Sequence, residues 1–341
     1  MPKTIFSVGL VALFLAACSV PQNDKNIEPA FYYWKSNFLI KDIENQVLKS
    51  NTIKKIYVKY FDLDVSNGQV LPQAKVQFSS ILDTSFNIVP CVFITNKSLL
   101  TLQNDAQVKL LARRIYDKIL VTHFKKRLTE IQIDCDWSLR TRGRYFKLLT
   151  LLKGHLPSTC LLSATIRLHQ IKFPEKTGVP PIDRGMLMCY NMADWKNIKT
   201  PNSIFDPAVI EQYTQNLSQY PLPLDVVFPV FRWAIIYRNN QFLKFINNLD
   251  NQRLTSCNFL ENTTQNRFVA KADTLAFGTS LRKGDVLRTE NANFDDLIKE
   301  KAAIFQKISN QKLTFALFHL DSLTLSAYSN AQIKNLLQSS F

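Results

Sequence analysis

Residues 131–137 read Ile-Gln-Ile-Asp-Cys-Asp-Trp, and this stretch decides how the rest of the chain is interpreted. Apolar and polar side chains alternate, and two carboxylates, Asp134 and Asp136, follow two positions apart. Side chains at i and i+2 of a strand lie on one face, so both acids are predicted to project together from a strand end. Paired carboxylates there are typical of acid–base chemistry on sugars and of cation binding. The stretch therefore predicts where a functional site lies.

Seven more short apolar runs have the length and composition of strands. With residues 130–134 they make eight: 30–34, 55–61, 88–94, 130–134, 160–166, 185–190, 225–230 and 313–318. Amphipathic segments at 105–124, 145–152, 207–217 and 294–309 are predicted to be helices. Strands that alternate with helices favour a parallel sheet, most simply a (β/α)8 (TIM) barrel. The alternative is an open doubly wound sheet with a site at its switch point.

The connection between strands seven and eight is too long for a plain crossover, at about 80 residues. Within it, residues 268–278 and 285–289 have strand-like patterns that are predicted to pair. We therefore expect an inserted β excursion between the last two strands of the barrel.

Polar and aromatic residues follow the predicted strands at the end where barrel enzymes collect their functional groups. The candidate catalytic residues are Asp134, Asp136 and Asp321, and the candidate substrate-binding residues are Trp34, Arg167, Tyr190, Asn191, Arg232 and Trp233. Rings that stack on apolar sugar faces, beside groups that bond hydroxyls, predict a carbohydrate partner. Packing of the tryptophans and charge neutralisation by the arginines remain the alternative explanations.

Two segments carry a resemblance to a known family. Ile133-Asp134-Cys135-Asp136-Trp137 resembles the fourth-strand motif D-x-x-D-x-D-x-E of chitinase-type glycoside hydrolases, and Met188-Cys189-Tyr190-Asn191 resembles their sixth-strand motif M-x-Y-D/N. The chain also resembles a group of bacterial barrel lipoproteins with an IQ-x-D-x-D strand followed by a segment like Leu162-Ser163-Ala164-Thr165. The resemblance implies a glycosidase-like barrel.

The chitinase motif is incomplete in this chain. Ser138 stands where that family has its catalytic Glu, and Ile131 stands in place of the first Asp. A Ser hydroxyl is no comparable acid near neutral pH. Asp136 is therefore the first candidate for the acid, because Asp134 beside it disfavours double ionisation. Asp321 is the second candidate and a possible partner base.

Three functions stay open at this point: a glycosidase-like enzyme, a non-catalytic glycan-binding protein, and a structural envelope protein. The missing Glu favours the second and third functions. The carboxylate pair and the aromatic rim favour the first and second.

The first 17 residues are predicted to be a signal peptide, because a short apolar stretch follows Lys3. Leu15-Ala16-Ala17-Cys18 resembles the bacterial lipobox, which implies cleavage before Cys18 and its acylation. Residues 18–29 are then a tether, residues 30–341 the barrel, and the protein is lipid-anchored in the cell envelope, on its periplasmic or surface side. The alternative is an ordinary signal peptide with an incidental cysteine.

The composition bears on other classes of partner. A net charge of +15 is spread along the chain without a recognisable nucleic-acid module, and 8 glycines form no phosphate-binding motif. Cys91, Cys135, Cys160, Cys189 and Cys257 show no metal-ligand spacing. We therefore predict no metal, no cofactor and no nucleic acid, with the first four cysteines buried. The oligomeric state is not predicted.

Overall fold

A closed barrel of eight parallel strands forms the centre of the molecule, for which a computed structural model describes residues 25–79, 85–123 and 128–339. Its strands are Asn26–Tyr33, Lys55–Ser66, Asn87–Ile94, Glu130–Asp134, Leu161–Arg167, Arg184–Met188, Leu224–Pro229 and Lys312–Phe318. The first strand pairs in parallel with both the second and the eighth. This closure confirms the (β/α)8 barrel and excludes the open sheet.

Several strand boundaries differ from the prediction. The first strand begins at Asn26, inside the segment expected to be the tether. The second strand continues to Ser66 and turns back to pair with Gln69–Gln73. The sixth strand ends at Met188 rather than at residue 190, and Asn191 has a positive φ of 54°. Left-handed backbone at Asn191 is incompatible with an extended strand, so the chain turns away there. Residues 1–24, with Cys18, lie outside the described part.

Helices surround the barrel and connect its strands. They are Asp42–Ser50, Asn96–Thr101, Asp105–Thr122, Arg142–Lys153, Leu168–Lys172, Pro174–Thr177, Pro207–Tyr213, Asn251–Thr255, Phe294–Lys307, Ser322–Leu325 and Asn330–Gln338, with a 3₁₀ turn at Leu217–Gln219. Asp206 caps the helix that begins at Pro207 by accepting from the amides of Ala208 and Val209. In the part of the chain that the structure describes, no helix has the length and apolar character of a membrane span.

A five-stranded antiparallel sheet lies between the seventh and eighth strands. Its strands are Arg232–Arg238, Gln241–Asn247, Leu260–Thr264, Arg267–Ala270 and Val286–Asn291. Phe268 pairs with Leu287 and Val269 with Val286, so the two segments expected to pair do so. This sheet, which we call the insertion, packs its own apolar cluster around Phe268 and Ile236. Because it starts directly after the seventh strand, it stands beside the mouth of the barrel.

The lower interior of the barrel is polar and tightly packed. Lys55 Nζ lies 2.9 Å from Glu130 Oε2, and Ser163 donates to the other oxygen of Glu130 at 2.6 Å. Gly185 allows the fifth, sixth and seventh strands to approach one another, because a Cβ there would lie 2.8 Å from Ile166 and 2.9 Å from Leu224.

Candidate active site at the barrel mouth

The two carboxylates of the fourth strand are joined by one arginine. Arg167, the last residue of the fifth strand, donates from Nε to Asp136 Oδ1 and from Nη2 to Asp136 Oδ2 at 3.2 Å. The same guanidinium lies 3.9 Å from Asp134 Oδ1, which also accepts a 2.7 Å hydrogen bond from Thr165. Thr165 and Arg167 are two positions apart on one strand and therefore share a face. The predicted meeting of Asp134, Asp136 and Arg167 at the mouth is what the structure contains.

The two acids differ in their surroundings. The side chain of Asp134 is 7% exposed, whereas that of Asp136 is 55% exposed. Burial raises the pKa of Asp134, although Arg167 and the hydrogen bond from Thr165 oppose the rise. Burial alone would lower the pKa of Arg167, but the two carboxylates beside it raise that pKa on balance. Asp134, rather than Asp136 as the sequence argument favours, is therefore the candidate proton donor.

Two adjoining cavities cross the mouth. The first, about 710 Å³, is lined by Asp136, His169, Trp195, Tyr213 and Phe245 among others, and the second, about 560 Å³, by Trp34, Lys35, Asp134, Arg232, Phe318, His319 and Asp321 among others. Both cavities share Arg167, Met188, Tyr190, Asn191 and Trp233. All nine candidate residues thus line one groove, which the barrel and the insertion form together.

Aromatic rings form the floor and one wall of this groove. Tyr190 packs against Phe318 with ring centroids 5.1 Å apart, and Trp34 packs against Phe318 at 5.8 Å. On the insertion side, Trp233 packs against Phe245 at 4.6 Å, and its Nε1 donates to Glu290 at 2.8 Å. These contacts fix the rings from behind and leave part of their surface toward the cavities.

Asp321 lies in the groove with its oxygens already engaged. Its Oδ2 lies 2.7 Å from Lys35 Nζ, and its Oδ1 accepts from the amides of Leu323 and Thr324 at 3.0 and 3.1 Å. Burial alone would raise the pKa of Asp321, but the hydrogen bonds from Lys35 and from the Thr324 amide lower that pKa on balance. Asp321 is therefore an ionised carboxylate, unsuited to the role of acid and suited only to that of base.

Arg232 joins the barrel mouth to the insertion. Its Nε lies 3.3 Å from Asp250 Oδ2, and its Nη1 donates to the carbonyl of Thr324 at 3.4 Å. Its side chain is 14% exposed. Arg232 thus borders the second cavity and holds two segments of its wall together.

Ser138, which the motif resemblance aligns with the catalytic Glu of chitinases, lies outside both cavities. Its Oγ lies 3.2 Å from Thr141 Oγ1. Trp137, next to Asp136, turns outward: its ring stacks on Tyr145 at 5.2 Å and its Nε1 donates to the Thr177 carbonyl at 2.9 Å. Trp137 is therefore a packing residue and no part of a sugar platform.

Sequence reasoning missed a residue that supports Asp134 and two residues that line the groove. Thr165 precedes Arg167 by two positions, so the alternation of the fifth strand could have identified it. Trp195 and Phe245, whose rings lie 5.0 Å apart, come from a loop and from the insertion, and no local pattern places them at the mouth. Among the described residues, no three His, Cys, Asp or Glu side chains converge in a way that could hold a metal ion.

The fold is similar to that of several solved glycan-degrading enzymes. The C-terminal domain of a putative chitinase from Desulfitobacterium hafniense DCB-2 matches with a TM-score of 0.61 at 10% identity, over 93% of this chain and 100% of that chain. A chitinase from Chromobacterium violaceum ATCC 12472 matches at 0.57 and 12% identity, over 92% and 99%. The Bacillus cereus spore cortex-lytic enzyme SleL matches at 0.55 and 15% identity, over 92% and 74%. No family model and no curated sequence matches the chain, so the similarity is one of fold.

Proposed function

We propose that this barrel binds a polysaccharide chain in the groove at its mouth. The observation that carries the proposal is the continuity of the two cavities through Arg167, Tyr190, Asn191 and Trp233. Each cavity has the volume of an ordinary ligand site, about 300–1,000 Å³, and together they suit a ligand longer than one small molecule. The barrels of similar fold are named as chitinases and a cortex-lytic enzyme, which supports a glycan as that ligand.

The chemistry of the groove suits binding better than hydrolysis. A glycosidase needs a carboxylic acid that reaches the leaving oxygen. The motif resemblance aligns Ser138 with the family's acid, but Ser138 lines neither cavity, and both oxygens of Asp136 accept from Arg167. The Asp134–Arg167–Asp136 cluster then acts as a polar centre for sugar hydroxyls, between aromatic surfaces.

Hydrolysis is the second candidate, because one observation favours it. Asp134 and Asp321 line the same cavity, and their surroundings move their pKa values in opposite directions, up for Asp134 and down for Asp321. Carboxyl groups whose pKa values are pushed apart are the arrangement that acid–base catalysis uses. In this mechanism Asp134 protonates the leaving oxygen, and Asp321 receives the proton of the attacking water after Lys35 releases its Oδ2.

Binding and hydrolysis are distinguished by one panel of oligosaccharides. Wild type and Trp233→Ala are titrated with chitin oligosaccharides and with bacterial cell-wall glycan fragments, and products are followed by mass spectrometry. The matched control is Tyr116→Ala, which removes a half-buried ring that stacks on His155 at 5.9 Å, outside both cavities.

We expect wild type and the control to bind alike, Trp233→Ala to bind at least tenfold more weakly, and no products to form. If wild type forms products and Asp134→Asn forms none, hydrolysis is the function of the groove. Equal binding by all variants, or binding by none, would refute the groove as a glycan site.

Membrane attachment is the second part of the proposal. We infer that Cys18 is acylated, on the basis of the lipobox at residues 15–18. Cys18→Ala should release the protein from the membrane fraction or leave it as an unprocessed precursor. Mass spectrometry that finds an unmodified amino terminus at another residue would contradict acylation.

A further inference from the structure

The first and last turns of three surrounding helices differ in charge, although the helix Arg142–Lys153 begins with arginines. Acidic residues occupy the first turns of several surrounding helices: Asp42, Glu44, Asp105, Asp295 and Asp296. Lysines occupy the last turns, at Lys49, Lys153 and Lys307. Each preference complements a helix dipole. Because the helices of such a barrel run antiparallel to its strands, the acids collect at the mouth and the lysines at the opposite end.

Further cations lie at the end opposite to the mouth. Lys54 immediately precedes the second strand, and Lys312 begins the eighth. Lys25 precedes the first strand, and its Nζ donates to the carbonyls of Ile308 and Asn310 at 2.7 and 3.2 Å. We call Lys25, Lys49, Lys54 and Lys312 the basal lysines.

The carboxylates at this end lie in ion pairs, in which three cations face four carboxylates. Glu28 and Glu130 pair with Lys55, Asp183 with Lys153, and Asp225 with Arg184. In contrast, Lys49, Lys54 and Lys312 are exposed, and none has an ion pair with a carboxylate among the described residues. The unpaired charge of this face is therefore positive.

The chain also enters the barrel at this end, because Asn26 begins the first strand. Cys18 precedes Asn26 by eight residues. Fully extended, that segment spans at most about 28 Å. A lipid on Cys18 would therefore keep the basal face within a short distance of a bilayer.

We propose that the basal lysines dock the protein on an anionic lipid bilayer, so that the glycan groove at the other end faces away from the membrane. The charge argument is independent of the proposed function; the tether argument rests on the proposed acylation of Cys18. Each lysine close to an anionic leaflet strengthens binding about fivefold, and salt weakens this attraction.

The test uses a chain of residues 19–341, which contains every described element and has no acylation site. It is sedimented with vesicles of phosphatidylglycerol and phosphatidylcholine, and with vesicles of phosphatidylcholine alone. The basal variant carries Lys49→Glu, Lys54→Glu and Lys312→Glu. The control carries Lys199→Glu, Lys271→Glu and Lys283→Glu, three exposed lysines in the loop after the sixth strand and in the insertion.

We expect salt-sensitive binding to the anionic vesicles only. The basal variant should bind at least tenfold more weakly than wild type, and the control variant within about threefold of it. Equal losses in both variants, equal binding to neutral vesicles, or no binding by wild type would overturn the proposal. The basal variant should bind glycans as well as wild type does. If wild type docks on anionic vesicles but binds no glycan, the proposed function of the groove fails and the docking proposal stands.

Discussion

The guanidinium of Arg167 holds the carboxylate of Asp136 with two parallel hydrogen bonds, and it does so at the open end of the barrel. Such a bidentate pair is planar and fixes the position of both groups. Asp134 lies below this pair, buried, with Thr165 as its closest donor. The pair therefore presents hydrogen-bonding groups to the groove beside Asp134, which lines the second cavity.

Asp136→Asn is expected to weaken glycan binding about tenfold while the fold survives. The Asp136 side chain is 55% exposed, so loss of this ion pair should change the free energy of unfolding by less than about 1 kcal/mol. Asp117→Asn is the matched control, because it removes a 49%-exposed carboxylate that Arg113 holds at 2.9 Å on a distant helix. Calorimetric titration and urea unfolding measure the two effects. Normal binding by Asp136→Asn, or an unfolded variant, would contradict the site.

Asp134→Asn is expected to gain stability relative to wild type as the pH rises. Because burial raises the pKa of Asp134, the folded protein holds this proton more tightly than the unfolded chain does. Its contribution to stability is present below the unfolded pKa, about 3.9, and is lost as pH rises through the folded value. Urea unfolding at pH 3.5, 5 and 7 measures the difference, with Asp117→Asn as the control. If the stability of Asp134→Asn instead falls relative to wild type as the pH rises, the pKa of Asp134 is lowered by folding, which contradicts the prediction.

Arg288→Met is expected to destabilise the insertion strongly. The Arg288 side chain is fully buried and donates to Glu290 at 2.7 Å and to the carbonyls of Asn197 and Ile198 at 2.8 and 3.0 Å. Removing it leaves the Glu290 carboxylate buried without its cation, at a cost of about 3–5 kcal/mol.

The control for this variant is Arg113→Met, whose exposed ion pair should contribute below about 1 kcal/mol. Tryptophan fluorescence should also shift in Arg288→Met, because Arg288 holds the loop that carries Trp195, and Glu290 accepts from Trp233. Equal stability of the two variants would show that the buried pair does not hold the loop.

Gly185→Ala and Gly143→Ala are expected to have opposite effects. A Cβ at Gly185 would lie 2.8 Å from Ile166 and 2.9 Å from Leu224, so overpacking should cost about 1–3 kcal/mol. At Gly143, in the helix Arg142–Lys153, a Cβ meets nothing within 4 Å, so alanine should stabilise by about 0.5–1 kcal/mol. Thermal unfolding of both variants compares them directly. If Gly185→Ala unfolds at the same temperature as wild type, the fifth and seventh strands do not approach Gly185 as closely as the structure shows.

Thiol labelling of the native chain of residues 19–341 is expected to be fast at Cys257 only. Cys91, Cys135 and Cys189 are buried, and burial raises the pKa of each thiol. Burial also raises the pKa of Cys160, to about 11. Cys135→Ser should cost about 1–3 kcal/mol, because it buries a hydroxyl. Rapid labelling of Cys135 or Cys189 in folded protein would contradict their placement.

Much of the groove follows from local pattern plus one rule of barrel geometry. Alternation at residues 131–137 places Asp134 and Asp136 at a strand end, and the same pattern places Arg167 at the end of the next strand. Parallel strands in a closed barrel bring those ends together, so the composition of the mouth could be predicted.

Other features of the groove depend on contacts between distant segments. Spacing alone makes Asp134 and Asp136 equivalent, but packing buries one and exposes the other. No sequence pattern near Asp321 predicts a partner for its carboxylate. In the structure Lys35 contacts one of its oxygens, and the helix that begins at Ser322 donates a backbone amide to the other. Trp195 reaches the groove because Tyr237, Phe245 and Arg288 of the insertion contact it.

The sequence by itself predicted eight strands that alternate with helices, and it placed Asp134, Asp136 and Arg167 at strand ends, because strand alternation is a local property. The tertiary structure decided that the sheet closes into a barrel, because the first strand pairs with the eighth. It also decided which carboxyl carries the raised pKa and which aromatic rings line the groove. Those properties depend on burial and on charge pairs such as Arg167 with Asp136, whose members are 31 residues apart in the chain.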